Sequence, residues 1–421
     1  MCPDQERIGS LEDRYDVLIV GGGHAGAQAA ISLRQKGHAK TVAILSDEPE
    51  LPYERPPLSK SYLAGKASFE DMLIRPGGFW EEQGVDLLPG RTVVAVDPAR
   101  HCVTLGDGRT VGYGALIWAA GGSARRLTCS GHDLRGVHVI RKRADIDRMK
   151  AELEAVSRIA VIGAGYIGLE AAAVLSGLGK NVTVIEAQDR VLARVAGSTL
   201  SRFYEGEHRA HGVDIRLQAG VERLMQQDGR VAGVHLADGT QLACDMAIVG
   251  IGIEPCVAPL LVAGAAGGNG VDVDEYCRTA LPDIYAVGDC AAHENPFAGN
   301  LRIRLESVQN ATDQAVVAAG AIVGGGDPYR SLPWFWSDQY DLRLQTAGLS
   351  HGHDFAVLRG DMAKRSFSVI YFRGRRVIAL DCVNAPRDFM QGRKLVCSDV
   401  SLPLDRLADS AVPLKEFVAR A

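Results

Sequence analysis

Two βαβ units with parallel sheets, followed by a small α+β domain, make up the α/β fold that this sequence predicts. Three observations point to it. Tyr15-Asp-Val-Leu-Ile-Val20 is an apolar run that enters a glycine turn, Gly21-Gly-Gly-His-Ala-Gly26, and then an alanine-rich helix, Ala27 to Lys36. The same order recurs at Arg158-Ile-Ala-Val-Ile-Gly-Ala-Gly-Tyr-Ile-Gly-Leu-Glu170. Beyond Gly324-Gly-Gly-Asp-Pro328 the pattern changes to alternating strands.

The glycines of the second unit, Gly163, Gly165 and Gly168, have the spacing of a dinucleotide-binding turn. The first allows the tight turn, the second close approach to a pyrophosphate, and the third helix-on-strand packing. Asn181-Val-Thr-Val-Ile-Glu186 reads as the next strand, and Glu186 stands roughly twenty residues on, where a ribose 2′-OH needs an acceptor. A carboxylate there favours NADH, whereas Arg190 and Arg194 close by leave room for a 2′-phosphate. In the first unit, Gly21, Gly23 and Gly26 repeat the turn, Thr41-Val-Ala-Ile-Leu45 is the next strand, and Asp47 stands at its end. One such turn can be an ordinary flexible loop. Two Rossmann-like units, each followed by an acid, imply two dinucleotides, and the usual pair is FAD with a nicotinamide nucleotide.

The chain of 421 residues is too long for one core. Its net charge of -5 gives no reason to expect nucleic acid or a membrane surface. Met1 to Arg14 is polar, without the apolar centre of a signal peptide, and no apolar stretch is long enough to span a bilayer. The nine cysteines form no C-x-x-C pair, so a cytoplasmic protein without zinc site or disulfide framework is expected.

Between the motifs, Leu51-Pro-Tyr-Glu-Arg-Pro-Pro-Leu-Ser-Lys60 is held extended by its prolines before a helix starting near Leu58. Such a loop can hold Arg55 and Lys60 over a cofactor, or be a surface connector. Val85 to Leu116 reads as a β-meander with turns at Gly90 and Asp107-Gly108, closed by the strand and glycine exit Ala115 to Gly122. Arg141 to Ser157 reads as a covering helix. The second unit repeats the plan, with a meander from Val213 to Leu242 and the exit Met246 to Ile253. Gly264 to Gly270 reads as a loop, and Asp283 to Asp289 as a strand whose final Asp289 either meets a ribityl chain or caps the helix after it. Glu306 to Ile322 is then a helix. Strands are expected at Leu342 to Ala347, Phe355 to Arg359, Phe367 to Phe372 and Val377 to Val383.

Taken together, these motifs resemble the putidaredoxin reductase-like family of pyridine-nucleotide-dependent flavoproteins, which feed bacterial haem-thiolate (cytochrome P-450) and Rieske ring-hydroxylating oxygenases. The likeness runs from Tyr15 onward through Pro56-Pro-Leu-Ser-Lys60, Gly163 to Glu170, Ala286-Val-Gly-Asp289, Arg304-Leu-Glu-Ser-Val308, Pro333-Trp-Phe-Trp-Ser-Asp-Gln-Tyr340 and Pro413-Leu-Lys-Glu416. It implies a glutathione reductase-like FAD/NAD-linked reductase fold. Residues 1–120 and 254–330 would form a discontinuous FAD domain, 121–253 an NAD domain, and 331–421 an interface domain. It further implies a two-iron, two-sulfur (2Fe-2S) ferredoxin as partner, reduced by electrons that NADH delivers through FAD.

Carried over by position, the resemblance sets FAD against Gly21, Gly23, Ala25, Gly26, Asp47, Arg55, Lys60, Val93, Ala120, Gly121, Arg141, Asp289 and Val308, with Trp336 at the isoalloxazine edge. It sets NAD against Gly163, Gly165, Tyr166, Ile167, Gly168, Glu186, Arg194 and Gly252. Lys60 and Glu170 are implied as a pair, the ammonium stabilising negative charge that develops on the reduced ring and the carboxylate anchoring it. Two departures stand out: Ala120 replaces a threonine common in relatives, and Val308 a tryptophan found in some. Two other functions share the architecture. A disulfide reductase or NADH peroxidase needs a thiolate early in the chain, yet none lies between Cys2 and Cys102. A flavoprotein that signals NADH state would undergo reduction without onward transfer. The Arg373 to Arg376 turn reads first as a solvated hairpin; the alternative is a docking patch, on which ferredoxin would meet it together with Arg302, Arg304 and Arg343.

Overall fold

The structure, a computed structural model, describes residues 13–398 and 404–418. The polar opening stretch therefore lies outside the described residues as far as Glu12. Two compact units emerge: Met1–Arg55, Phe69–Ser123 and Glu254–Ser331 make the first, and Pro56–Ser68, Ala124–Ile253 and Leu332–Ala421 the second.

In the first unit, a seven-stranded sheet has Arg14–Val20 at its centre, parallel to Val42–Leu45 on one side and Thr110–Trp118 on the other. The outer strand Val85–Leu88 is parallel to Val42–Leu45, so it is the third strand of the βαβ unit and not the start of the expected meander. Only Val93–Asp97, Cys102–Leu105 and the first residues of Thr110–Trp118 run antiparallel. Thr110–Trp118 can serve both patterns because its free edge is divided: Thr110–Gly112 faces Cys102–Thr104, while Leu116–Trp118 faces Ile284–Ala286. Alternation along the central strand then sorts the core. Leu18 and Val20 pack with Val103 and Trp118, whereas Val17 and Ile19 face the helices; Tyr15, at the strand's start, joins the Leu18 cluster outside that alternation. Those helices, His24–Gln35 and Val308–Ile322, approach through alanines, among them Ala27, Ala30, Ala315 and Ala318, all fully buried. The second helix begins two residues later than expected because Ser307 caps it, accepting from the Asn310 N–H.

The second unit holds an all-parallel sheet in the order Asp214–Arg216, Asn181–Ile185, Arg158–Ile162, Met246–Val249, Val137–Val139. Asp214–Arg216 is again a third parallel strand, so the meander is confined to Val221–Gln227, Arg230–Leu236 and Gln241–Ala243. Pro56–Ser59 is a single 3-10 turn instead of the start of a longer helix. The glycine stretch expected as a loop in the first unit contributes two short strands, Gly267–Gly268 and Gly270–Val273.

The C-terminal part is a five-stranded antiparallel sheet ordered Trp334–Gln339, Leu342–Gly348, Arg376–Val383, Ser366–Arg373, Phe355–Asp361. Its first strand escaped the sequence reading because the hairpin turn after it, Tyr340-Asp341, contains no glycine. Tyr340 adopts φ +58° there, a left-handed conformation rare for an aromatic residue. The helix Pro386–Val396 covers the sheet.

Arg359 closes this sheet on the chain end. It is almost wholly buried, pairs with Asp388 at 2.8 Å, and donates to the carbonyls of Leu407 (3.1 Å) and Val412 (2.8 Å). Replacing it with Met leaves Asp388 and those carbonyls without their donor. Arg359→Met is expected to lower stability by about 3–5 kcal/mol, read as a fall in the urea midpoint.

Candidate functional site

Both glycine turns are built alike. The N–H groups of Gly21 and Gly163 donate to Leu45 and Ile185 at 2.7 and 2.8 Å, and both residues have φ above +100°. A Cβ on Gly21 would meet the Ala119 carbonyl oxygen at 2.2 Å, and one on Gly163 the Gly250 oxygen at 2.4 Å. A Cβ on Gly26 or Gly168 would strike the first glycine of its own turn at 1.9 or 2.1 Å. The middle glycines differ: Gly165 would meet nothing within 4 Å, and Gly23 only Arg55 Nε at 3.8 Å. The fold thus demands the first and third glycines, while the second keeps an open approach clear. Gly23 and Gly165 also stand at the N-caps of their helices with no side chain of their own to cap them, which leaves room for an anion at the helix N-terminus. These cradles fit a pyrophosphate.

The acids after the two turns are not equivalent. Ser46 bonds to Leu88 and Arg91 as Glu186 bonds to Arg216 and Ala219, so Ser46 occupies the position of Glu186 and the exposed Asp47 lies one residue beyond it. Glu186 accepts from the Ala164 N–H at 2.7 Å and the Gln188 N–H at 2.9 Å, which aims it at the second glycine turn. Arg190 is turned away, donating to Ala193, Ala196 and Ser201. Arg194 is exposed, lies against Gly252, and makes no ion pair among the described residues.

Of two buried carboxylates, Glu48 went unread in the sequence, while Glu170 was paired with Lys60 there but not with its two serine donors. Glu48, 6% exposed, accepts from Arg55 at 2.6 Å and from Tyr53 at 2.6 Å. Burial opposes the Arg55 charge, but Glu48, Tyr53 and Asp47 outweigh it and hold its pKa above the ordinary value. Glu170, 2% exposed, accepts from Ser59 (2.5 Å) and Lys60 (2.7 Å) on Oε2 and from Ser337 (2.6 Å) on Oε1. The Pro56–Ser59 turn delivers the first two donors, and the strand Trp334–Gln339 the third. Ser59 and Ser337 both lie within the motifs that carry the family resemblance, but nothing in their spacing marks them as donors.

Of the remaining candidates, Tyr166 packs on Phe335 with ring centroids 4.6 Å apart, and Ile167 is exposed. Trp336 lies half-buried, 5.7 Å from Trp334. Val93 and Ala25 are buried in the first unit. Ala120 and Gly121 form the exit there, with Gly121 accepting from the Cys256 N–H. Val308 opens its helix, and Arg141 precedes the helix Arg143–Leu153. Asp289 lies in the 3-10 turn Gly288–Cys290, and the strand Ala291–Asn295 follows it where a helix was expected. Its neighbour Cys290 is buried, and burial pushes its thiol up to about 12, against any role as a redox thiolate. Arg304 is no docking residue, because its side chain is 8% exposed and tied to Glu306 and the Asp289 carbonyl. Arg373 donates to His351 and Gly352.

The pyridine nucleotide-disulphide oxidoreductase family matches residues 15–315, and the reductase C-terminal family matches residues 334–418. The chain belongs to the pyridine nucleotide-disulphide oxidoreductase family and carries the C-terminal domain of its reductases. Within it, the chain falls among the ferredoxin reductases of oxygenase systems. It is 59% identical over 406 residues to the 5,5'-dehydrodivanillate O-demethylase ferredoxin reductase subunit of Sphingobium sp., covering 96% of this chain and 98% of that protein. A ferredoxin–NAD(P)(+) reductase of Sphingomonas sp. is 57% identical, with 97% and 98% covered. The crystal structure of the covalent putidaredoxin reductase–putidaredoxin complex matches with TM-score 0.93 at 37% identity, covering 98% of this chain and 99% of that one. No helix among the described residues is long and apolar enough to cross a membrane.

The glycine geometry separates folding from binding. Gly168→Val is expected to destabilise the protein, seen as a lower melting temperature. Gly165→Val should melt as the parent does and lose at least about tenfold in nicotinamide-nucleotide affinity by titration calorimetry.

Proposed function

We propose that the protein is an NADH-dependent ferredoxin reductase that uses FAD to pass electrons to a 2Fe-2S ferredoxin serving an oxygenase. The observation that carries this reading is the paired cradle, two glycine turns with open middle positions in one chain, together with a buried Lys60–Glu170 ion pair. Of the relatives named above, one is the ferredoxin reductase subunit of an O-demethylase, which supports a terminal oxygenase, cytochrome P-450 or Rieske, as the final acceptor. The domain division that accompanies this reading is 1–120 with 254–330 for FAD, 121–253 for NAD, and 331–421 for the interface. A cytoplasmic setting agrees with the described cysteines, all of which are free thiols.

FAD, when bound, supplies the conversion between a two-electron hydride donor and one-electron acceptors. The residues assigned to hold it in the first unit are Gly21, Gly23, Ala25, Gly26, Asp47, Arg55, Val93, Ala120, Gly121, Asp289 and Val308. Arg55, fixed by Glu48 beside Gly23, supplies a positive charge to its phosphates. In the second unit, Gly163, Gly165 and Gly168 receive the NADH pyrophosphate, with Tyr166 and Ile167 opening the helix behind it. Glu186 accepts from the adenosine ribose and, with Arg190 committed elsewhere, disfavours a 2′-phosphate. Lys60 holds a positive charge in a site 18% exposed, where it stabilises developing negative charge more than it would in water. Glu170 keeps that ammonium in place.

As purified, the protein should be yellow and should reduce 2Fe-2S ferredoxin steadily from NADH. A colourless protein that stays so with added FAD, or one reduced once without onward transfer, would overturn this function. Glu186→Ala is expected to reduce the NADH to NADPH ratio of kcat/KM by about tenfold, and an unchanged ratio would remove the ribose assignment.

A further inference from the structure

Glu170 is the end of a hydrogen-bond chain whose direction its own charge dictates. Ser337 Oγ lies 2.6 Å from Oε1. A carboxylate set against an ammonium offers only lone pairs, so Ser337 donates. Having given its one hydrogen, Ser337 can only accept from Gln339, whose Nε2 lies 3.2 Å away. That fixes the amide orientation and turns Gln339 Oε1 toward His208 Nε2, at 2.8 Å. An amide oxygen accepts only, so His208 carries its hydrogen on Nε2. Its Nδ1 is then bare and receives the Tyr340 hydroxyl at 3.0 Å.

Reversing any bond would set the Ser337 lone pairs against a carboxylate. The chain therefore runs one way, with each O–H and N–H directed toward Glu170. His208, Gln339 and Ser337 are all buried to 1% exposure or less, in a medium where such dipoles act strongly. Burial draws the His208 pKa down to about 4; Gln339 opposes this and His211 adds to it, so the ring stays neutral. At the outer end, Tyr340 is held at φ +58° and stacked on exposed His211, with centroids 3.7 Å apart. A strained turn kept where its hydroxyl meets His208 is an independent sign that the contact matters.

We propose that His208 is a positioning residue for the Lys60–Glu170 pair, locked as the Nε2–H tautomer and acting through Gln339 and Ser337 to hold the Glu170 carboxylate in one orientation. This rests on the assignment of Lys60 and Glu170 to hydride transfer made above. With Oε1 fixed by Ser337, Oε2 remains aimed at Ser59 and Lys60, and the ammonium has one resting place.

The test combines ring 15N NMR of histidine-labelled, FAD-loaded protein with stopped-flow hydride transfer from NADH. His208 is expected as Nε2–H without titrating from pH 8 to 5.5, and Glu170→Gln, which removes the charge that sets direction, should admit the Nδ1–H form. Ser337→Ala, which keeps the core volume, should slow hydride transfer about tenfold with NADH affinity unchanged, and Ser337→Thr should restore it. Gln339→Met should slow it as well, and the double variant should be no slower than Ser337→Ala. An Nδ1–H ring in the parent, a tautomer unmoved by Glu170→Gln, or multiplicative losses would overturn the chain. Lys60→Ala separates the two failures: an unchanged rate there removes the Lys60 assignment itself, whereas loss there with full rate in Ser337→Ala removes only the role of His208.

Discussion

A charged carboxylate at 2% exposure has to be met on every side, and meeting Glu170 organises much of the second unit. Its three donors come from far apart in the chain: Ser59 and Lys60 from the proline-rich turn, Ser337 from the first strand of the C-terminal sheet. The helix Tyr166–Gly177 that carries Glu170 is the same helix whose first turn is left uncapped for an anion. One element therefore holds a buried carboxylate in its interior and a glycine turn open to an anion at its end. The proline-rich turn and the C-terminal sheet are fastened to it by the same ionised group.

Duplication explains the rest of the architecture. Each βαβ unit repeats a glycine whose carbonyl would be struck by any larger third residue, so the two turns share a geometry that sequence divergence cannot easily erode. The acids that follow are less constrained. Glu186 is bonded into its turn, whereas Ser46 stands at the corresponding place in the first unit, with the exposed Asp47 one residue beyond it. There the buried anion is Glu48, and it serves Arg55 and Tyr53. Two sites of common plan have thus placed their carboxylates for different tasks.

The thiols bear on the family name without extending its chemistry. Members of a pyridine nucleotide-disulphide oxidoreductase family need a reactive cysteine to act on disulfides. In this chain Cys277, Cys290 and Cys382 are buried with their thiols pushed up by desolvation, which makes them small core residues. The electrostatic site formed by Lys60 and Glu170 stands in contrast to them, charged and partly open.

What the sequence by itself determined was whatever depends on local spacing. Glycines at fixed offsets, apolar runs before them and the repeat of both identified two dinucleotide units, since turn geometry and helix-on-strand packing are settled within some thirty residues. The division of the sheets was decided by tertiary structure, because Val85–Leu88 and Asp214–Arg216 gain their parallel partners from distant strands that no local pattern reports. The strand Trp334–Gln339 stayed hidden since its turn uses a strained tyrosine, stabilised by His208 and His211 from another element, instead of a glycine. Ser59, Ser337, Gln339 and His208 were illegible for the same reason. A hydrogen bond across more than a hundred residues exists only once the backbone has brought its ends together, and its direction follows from a charge that the whole fold has buried.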